Sequence, residues 1–224
     1  MAGVEVCLFD AGRGVLTEVR EGTAIRVHTV LPERPVPTPV ELGTMRPLAV
    51  YELLQRVLEH ADLSVRFLDD TSMGGPPTSE QCVELVLSGA DGPVIQSEHT
   101  GRSLLRFRDA QEEFGFPALA LYLLSAHYFQ PLEDPLSALP EAYARVERIR
   151  EIAIGLRPEE PSPPEMRCYM SSFRLGLSCD LDTPLAFRSL FEWLREAELR
   201  EDAVGDGDLR EMLALLELEE LLAG

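Results

Sequence analysis

The stretch ALALYLLSAHYFQPLEDP, residues 118–135, decides the fold, because an apolar run meets a His-Tyr pair and then a proline-containing exit. Its first seven residues are apolar on every side, which is typical of a helix packed into a protein interior. Pro131 and Pro135 stop the helix after the pair, because proline lacks the backbone N–H that a helix needs. The pattern predicts a buried helix over 117–129.

The N-terminal side of this stretch alternates strand-like and helix-like runs. Residues 23–31 are rich in β-branched side chains, 46–63 carry apolar residues at helical spacing, and 64–70 are again strand-like. A strand–helix–strand unit of this kind predicts a parallel sheet with a right-handed crossover. Further short strands are expected at 4–10, 81–89 and 92–96.

The C-terminal side is helical throughout. Helices are predicted at 106–114, 117–129, 138–156, 164–178, 184–200 and 207–222. Strands first and helices later predict an α/β domain with a Rossmann-like parallel sheet, followed by a C-terminal α-helical bundle. Leucine and methionine cover a wide face of the last helix, which either closes the bundle or presents a surface to a partner helix.

The charge of the chain restricts its partners. Its 224 residues include 39 acidic and 20 basic side chains, every basic one an arginine, for a net charge of −19. This balance argues against general nucleic-acid binding, which needs cations to displace phosphate counterions, unless a local patch such as Arg102, Arg106 and Arg108 is used. No apolar run is long enough to span a bilayer, and no basic region precedes the first apolar patch. We therefore expect a cytoplasmic protein.

The four cysteines, Cys7, Cys82, Cys168 and Cys179, are far apart and form no CxxC pair. Cysteines in this arrangement are interpreted as reduced, buried thiols rather than as a disulfide framework.

Residues 101–149, which extend the opening stretch, resemble the segment that follows the KMSKS loop of class I cysteinyl-tRNA synthetases. Residues 7–30, 41–70, 179–198 and 208–222 are similar to further segments of that family in the same order. The cysteine ligase of mycothiol biosynthesis shares these features. The resemblance implies a shortened class I synthetase-like Rossmann core over 1–130, then a stem-contact and helical-bundle region over 131–224.

The chain departs from the family at both ATP-binding motifs. HIGH is replaced by Glu41-Leu42-Gly43-Thr44, and KMSKS by Ile95-Gln96-Ser97-Glu98-His99. The family uses the histidines and lysines of these motifs to stabilise ATP phosphates. Glu41 would repel those phosphates and Thr44 offers only a neutral donor, whereas Gly43 still allows close approach of a ligand. Loss of these cations predicts loss of cysteine adenylation.

The family's zinc site is also expected to be missing. The resemblance places the connective insertion, which supplies three of the four zinc ligands, between Asp70 and Gln81, where this chain has ten residues. The fourth ligand aligns with His28. Because zinc needs about four ligands, we expect no metal and no other cofactor.

Candidate site residues gather at the predicted carboxyl edge of the sheet. Asp69 and Asp70 end a strand there, where α/β proteins bind ligands, although a solvated strand end is the simpler alternative. The resemblance places Glu41, Glu98 and His99 in loops that converge on the family's ATP pocket. They either act as acid–base groups or are substitutions accumulated by drift in an inactive site. The expected ligand-binding residues are His28, Gly43, Thr44, Asp69, Asp70 and Ser97.

Three other features are predicted to be structural. The resemblance implies that His127 and Tyr128 pack the core against the stem-contact region. The DLDTP segment, residues 180–184, is interpreted as a helix start with Thr183 at the N-cap and Pro184 at the first helical position. Cys179 has no basic neighbour in the sequence and is expected to be a poor nucleophile.

Two functions are consistent with this pattern. The first is a non-catalytic paralogue that binds a ligand resembling cysteine or an adenylate, or a protein partner through its C-terminal helices, without tRNA or a membrane. The second is a repurposed enzyme of specialised metabolism, a ligase or aminoacyl transferase, that uses the old pocket for a cysteine-like or pre-activated substrate.

Overall fold

The structure is a computed structural model that describes residues 5–30, 45–68, 82–88, 107–200 and 202–222. Within these ranges the chain is a mixed α/β protein with a small parallel sheet, an antiparallel hairpin and six α-helices. None of the helices described is both long enough and apolar enough to cross a membrane.

The hairpin consists of β1, Val6–Asp10, and β2, Val15–Val19, paired from Val6↔Val19 to Asp10↔Val15. Asp10 closes the turn, because its carboxylate accepts from Gly12 N at 3.0 Å. The pattern of β1 predicted a strand, whereas β2 was not predicted from its pattern. Val15 and Leu16 of β2 are exposed, so that the strand lacks the alternation of buried and exposed residues that identifies its partner.

The parallel sheet has the order β4-β3-β5, with β3 at Ala24–Val30, β4 at Arg66–Leu68 and β5 at Cys82–Ser88. Both neighbours run parallel to β3. Helix α1, Arg46–His60, lies between β3 and β4 in the chain, so the predicted strand–helix–strand unit is confirmed. The strand predicted at 92–96 lies outside the described residues.

Five helices follow: α2, Phe107–Leu123; α3, Pro135–Ile154; α4, Arg167–Ser178; α5, Thr183–Leu199; and α6, Gly207–Leu215. Helix α2 is two helical segments joined at Gly115, whose φ of 78° and ψ of 162° are open to glycine. This break agrees with the predicted gap between 114 and 117. The second segment ends at Leu123, so the prediction that it continues to 129 was wrong.

The predicted helix over 207–222 is also shorter than expected. It ends at Leu215, and a short 3₁₀ turn follows at Glu219–Leu222. Glu217 has a φ of 57°, and the N–H of Leu218 donates to the carbonyl of Leu213 at 2.8 Å. This left-handed residue ends the helix and supplies partners to its last carbonyls. The apolar side chains continue beyond that point, so their spacing alone predicted a longer helix.

The leucine face of this last segment is buried in the chain's own core. The buried members are Leu209, Met212, Leu213, Leu215, Leu216, Leu218 and Leu221. They belong to one continuous apolar cluster that also contains Leu8 of β1, Ile25 of β3 and Trp193 of α5. A partner surface on the C-terminal helices would therefore have to use other residues. The predicted boundary at 130/131 falls in the turn after α2 and stays a prediction.

The cysteines are free thiols, but their predicted burial was wrong. Cys168 and Cys179 are exposed, and Cys7 and Cys82 are partly exposed. Each lies at an element end or on a strand with one solvated face, where a cysteine in the sequence gives no sign of its exposure.

Helices α4 and α5 cross closely at Gly176. A Cβ at this position would lie 2.9 Å from both the nitrogen of Ala186 and the carbonyl oxygen of Asp182. Both obstacles are backbone atoms, so the helices would have to separate to admit a methyl group.

We predict that Gly176→Ala lowers the free energy of unfolding by about 1–3 kcal/mol, the usual effect of overpacking. Gly155→Ala is the matched control, because its Cβ would meet nothing closer than 3.6 Å. Urea unfolding followed by circular dichroism measures both variants. Equal stability of the two would show that the α4–α5 contact adjusts without cost.

Candidate functional site

The carboxyl ends of β3, β4 and β5 share one edge of the parallel sheet, since all three strands run in the same direction. His28 lies near this end of β3, opposite Val86 of β5, and its side chain is half-buried. Open α/β sheets bind ligands outside this edge. His28 is thus the candidate that the described structure places at the expected position.

The other candidate residues lie outside the described residues, and the structure leaves their predicted roles untested. They are Glu41, Gly43, Thr44, Asp69, Asp70, Ser97, Glu98 and His99. In the chain, Asp69 and Asp70 directly follow β4, which ends at Leu68. Within the described ranges, no three His, Cys, Asp or Glu side chains gather as a metal site would require.

Arg46, the first residue of α1, is a buried cation. Its side chain is 1% exposed. The guanidinium donates to the carbonyl oxygen of Gln130 at 2.5 Å and to those of Ala126 and His127 at 2.8 Å each. Burial lowers the pKa of Arg46 to about 10, so it remains charged at neutral pH. Arg46 therefore fastens the start of α1 to the turn that follows α2.

The same turn is held from a second side by Asp180, which lies between α4 and α5. The hydroxyl of Tyr128 donates to Asp180 Oδ1 at 2.5 Å, and the backbone N–H of Phe9 donates to the same oxygen at 2.7 Å. His127 Nε2 lies 3.0 Å from the Asp180 carbonyl oxygen. Asp180 thus connects the turn after α2 to β1.

Aromatic rings pack around this contact. The His127 ring stacks on Tyr128 with centroids 4.5 Å apart, and Phe129 meets Phe9 of β1 edge to face at 5.4 Å. Tyr128 is buried, and burial followed by the hydrogen bond to Asp180 raises its pKa far above the ordinary value. A tyrosine held in its neutral form is a donor and not a base. The structure agrees with the prediction that His127 and Tyr128 serve packing.

The DLDTP segment starts a helix, as predicted, but the predicted N-cap residue was wrong. Asp182, not Thr183, is the N-cap of α5, and its carboxylate accepts from Leu185 N at 3.0 Å. Thr183 is the first helical residue and its hydroxyl lies 3.4 Å from the carbonyl oxygen of Ala126. An aspartate is as good a cap as threonine, and the spacing alone allows both registers.

The sequence did not predict the burial of Arg46, because it looks like an ordinary polar residue at a helix start. A partial signal exists: Arg46 stands between Met45 and Pro47 at the head of an apolar helix, with no acidic residue in the first turn. A charged side chain at such a place needs partners from elsewhere in the chain.

A surface cavity of about 390 Å³ lies away from the sheet edge, between the C-terminal ends of α3 and α5. An ion pair between Arg148 and Glu198 crosses it. Its apolar lining comes from Ile152, Leu156, Ala197 and Val204. The exposed residues Ile154 and Leu199 are neighbours of this lining in the chain.

Comparison with known proteins gives a consistent result. Cysteine–tRNA ligase of Alkalilimnicola ehrlichii is 35% identical over 119 residues, which is 51% of this chain and 25% of that protein. The enzyme of Halorhodospira halophila is 35% identical over 134 residues, or 55% of this chain and 28% of that protein. The enzyme of Idiomarina loihiensis is 28% identical over 131 residues, which is 57% of this chain and 28% of that protein.

The chain is a partial relative of the cysteinyl-tRNA synthetases. It spans about a quarter of the length of the curated relatives it matches. No protein-family model matches it. The predicted resemblance is thereby confirmed as a relationship over about half of this synthetase-like chain.

We predict that Arg46→Met lowers the free energy of unfolding by about 3 kcal/mol or more, because it removes three hydrogen bonds from a charged donor, which typically contribute about 1.5–3 kcal/mol each. Arg108→Met is the control, since Arg108 is 85% exposed and forms an ion pair with Glu112 on its own helix. Exposed pairs of this kind contribute about 0.5 kcal/mol or less. Chemical denaturation of both variants tests this, and a loss below about 1 kcal/mol for Arg46→Met would contradict it.

We predict that Tyr128→Phe costs about 1–2 kcal/mol at neutral pH through loss of the bond to Asp180. Above pH 10, the unfolded chain releases the tyrosine proton while folded Tyr128 keeps it, so the contribution of the hydroxyl falls as pH rises. The stability gap between wild type and Tyr128→Phe should therefore narrow by up to about 1.4 kcal/mol per pH unit. Tyr143→Phe, at an exposed tyrosine, is the control; a constant Tyr128 gap refutes the linkage.

Proposed function

We propose that this synthetase-like protein binds a small ligand or a protein partner without activating cysteine with ATP. The observation that carries the proposal is the composition of its two ATP motifs: residues 41–44 contain no histidine and residues 95–99 contain no lysine. Adenylate formation places negative charge on phosphates, and removing a positive clamp commonly costs a factor of 10² or more in rate.

The contacts of Arg46 support this proposal. Arg46 stands two residues after Thr44, close in the chain to the segment that resembles HIGH. Its guanidinium is buried and donates to carbonyls of Ala126, His127 and Gln130. A cation used in this way does not replace the missing histidines on an ATP phosphate.

The proposed architecture is the one implied by the relatives: a class I synthetase-like Rossmann core followed by a helical bundle, in a cytoplasmic protein. The parallel order β4-β3-β5 with α1 between β3 and β4 supports it. The proposed ligand resembles cysteine or an adenylate and lies at the carboxyl edge near His28. The net charge of −19 argues against tRNA as a partner.

The proposed protein-binding surface lies on the C-terminal helices. The leucines of the last segment are buried, but Leu175 of α4, Leu199 of α5 and Ile154 of α3 are exposed. In the sequence, Ile154 and Leu199 are next to residues that line the cavity between the ends of α3 and α5. Exposed apolar side chains around a concave surface are the usual composition of a binding site.

A second candidate function rests on Glu98 and His99, adjacent residues in the segment that resembles KMSKS. A glutamate–histidine pair could move a proton during transfer of a pre-activated acyl group. On this alternative the protein is a ligase or aminoacyl transferase of specialised metabolism, with Glu41 as a third participant.

We predict no cysteine-dependent exchange of pyrophosphate into ATP, measured beside a full-length cysteine–tRNA ligase as the positive control. Thermal melting with cysteine, ATP, AMP and a non-hydrolysable cysteinyl-adenylate analogue tests the pocket separately. A ligand at 100 times its dissociation constant adds about 2.7 kcal/mol and raises Tm visibly.

Exchange activity that disappears when Glu41, Glu98 and His99 are all replaced by alanine would contradict the proposal and favour the enzyme. Without exchange, a Tm shift with cysteine or the analogue assigns binding to the pocket. Absence of any shift directs the search to a protein partner on the C-terminal helices.

A further inference from the structure

Two cysteines from opposite ends of the chain lie side by side. Cys7 is in the middle of β1, and Cys179 is the first residue after α4. They form a parallel β-bridge, and the backbone N–H of Asp180 donates to the carbonyl of Cys7 at 2.7 Å. The peptide that follows α4 therefore pairs with β1 at this single bridge before the chain turns at Asp180 and Leu181.

A β-bridge brings the backbones of the two cysteines to a spacing that a disulfide can join. Neighbouring strands lie about 4.8 Å apart, and disulfides join cysteines whose Cα atoms are about 4.4–6.8 Å apart. The electrostatics agree, because the pKa of Cys7 is raised first by burial and next by the charge of Cys179.

We propose that Cys7 and Cys179 are a redox site that closes reversibly into an intramolecular disulfide when a peroxide reaches the protein. Cys179 is exposed, so a peroxide can reach its sulfur even though no basic neighbour in the sequence activates it, whereas Cys7 is partly covered and completes the bond. This proposal does not rest on the proposed function.

The chemistry balances in two steps. The Cys179 thiolate attacks one oxygen of hydrogen peroxide, the O–O bond breaks, and a sulfenic acid forms while the departing hydroxide takes up a proton from solvent to become water. The Cys7 thiolate then attacks the sulfenic sulfur, the S–S bond forms, the S–O bond breaks, and the departing hydroxide takes up a proton as a second water. Two thiols are oxidised and one peroxide is reduced.

The bond would join β1 to the connection between α4 and α5, beside the contacts of Asp180. It would close a loop of most of the chain, and loops of this length restrict the unfolded state most strongly. Because Cys179 is exposed, a thiol reductant can reach the bond and reopen it. Oxidation thus reversibly stiffens the junction between the hairpin and the C-terminal helices.

The experiment uses the full chain and the double variant Cys82→Ser/Cys168→Ser, which keeps only the proposed pair. Each protein is treated with hydrogen peroxide, blocked with an alkylating reagent and analysed as intact mass and as non-reduced peptides. We expect a monomer that has lost two hydrogens and contains one cross-linked peptide pair, Cys7 with Cys179. Dithiothreitol should reverse the change.

Thermal melting provides a second readout. The oxidised double variant should melt about 5 °C or more above its reduced form. Cys179→Ser in the same background should lose both the cross-link and the Tm rise, and it controls for general effects of peroxide. The raised pKa of Cys7 further predicts faster closure at higher pH, because more of Cys7 is then thiolate.

The proposal is overturned if Cys7 remains open to alkylation after oxidation of Cys179, or if peroxide gives only intermolecular dimers or over-oxidised Cys179. It is also overturned if the cross-link forms without raising Tm above that of the reduced protein.

Discussion

The buried guanidinium of Arg46 is the interaction on which the arrangement of the chain depends. A cation removed from water is costly unless its donors are used, and here the two terminal nitrogens of the guanidinium donate to three backbone carbonyls of the turn after α2. These carbonyls belong to a segment where the helix has ended, and Arg46 adds a charged donor to each of them. One side chain thus satisfies both needs and sets where α1 begins relative to α2.

Asp180 adds the constraint from the C-terminal side. Asp180 and Leu181 have φ values of 59° and 51°, a left-handed conformation that is uncommon outside glycine. Such backbone persists only when surrounding contacts determine it. Asp180 is held by contacts with the hydroxyl of Tyr128, the backbone N–H of Phe9 and the His127 ring. The turn at 124–130 is therefore where the hairpin, α1 and the α4–α5 connection meet.

The sequence predicts well what repeats along the chain and poorly what depends on distant partners. The periodicity of α1 and α5 and the β-branched run of β3 are local signals, and each predicted the element observed. The burial of Arg46 depends on carbonyls about 80 residues away in the chain, so its local pattern gives only a partial signal. β2 was missed because its first residues are exposed and it lacks alternation, and the spacing of residues 180–184 allowed a cap at either Asp182 or Thr183. At the candidate site, the sequence shows that residues 41–44 contain no histidine and residues 95–99 no lysine. The structure adds the position of one candidate residue, His28 on β3.

The contacts that hold the fold are separate from the residues that the relatives' chemistry would need. Arg46 binds main-chain carbonyls, which every sequence offers, and Asp180 binds a main-chain N–H and the hydroxyl of Tyr128. Neither contact involves the segments 41–44 or 95–99. Substitution of histidines and lysines there would leave these anchors intact, and removal of catalytic groups from a strained site often costs no stability. A chain related to cysteinyl-tRNA synthetases can therefore keep this junction while its pocket changes chemistry, and stability alone would not select against that change.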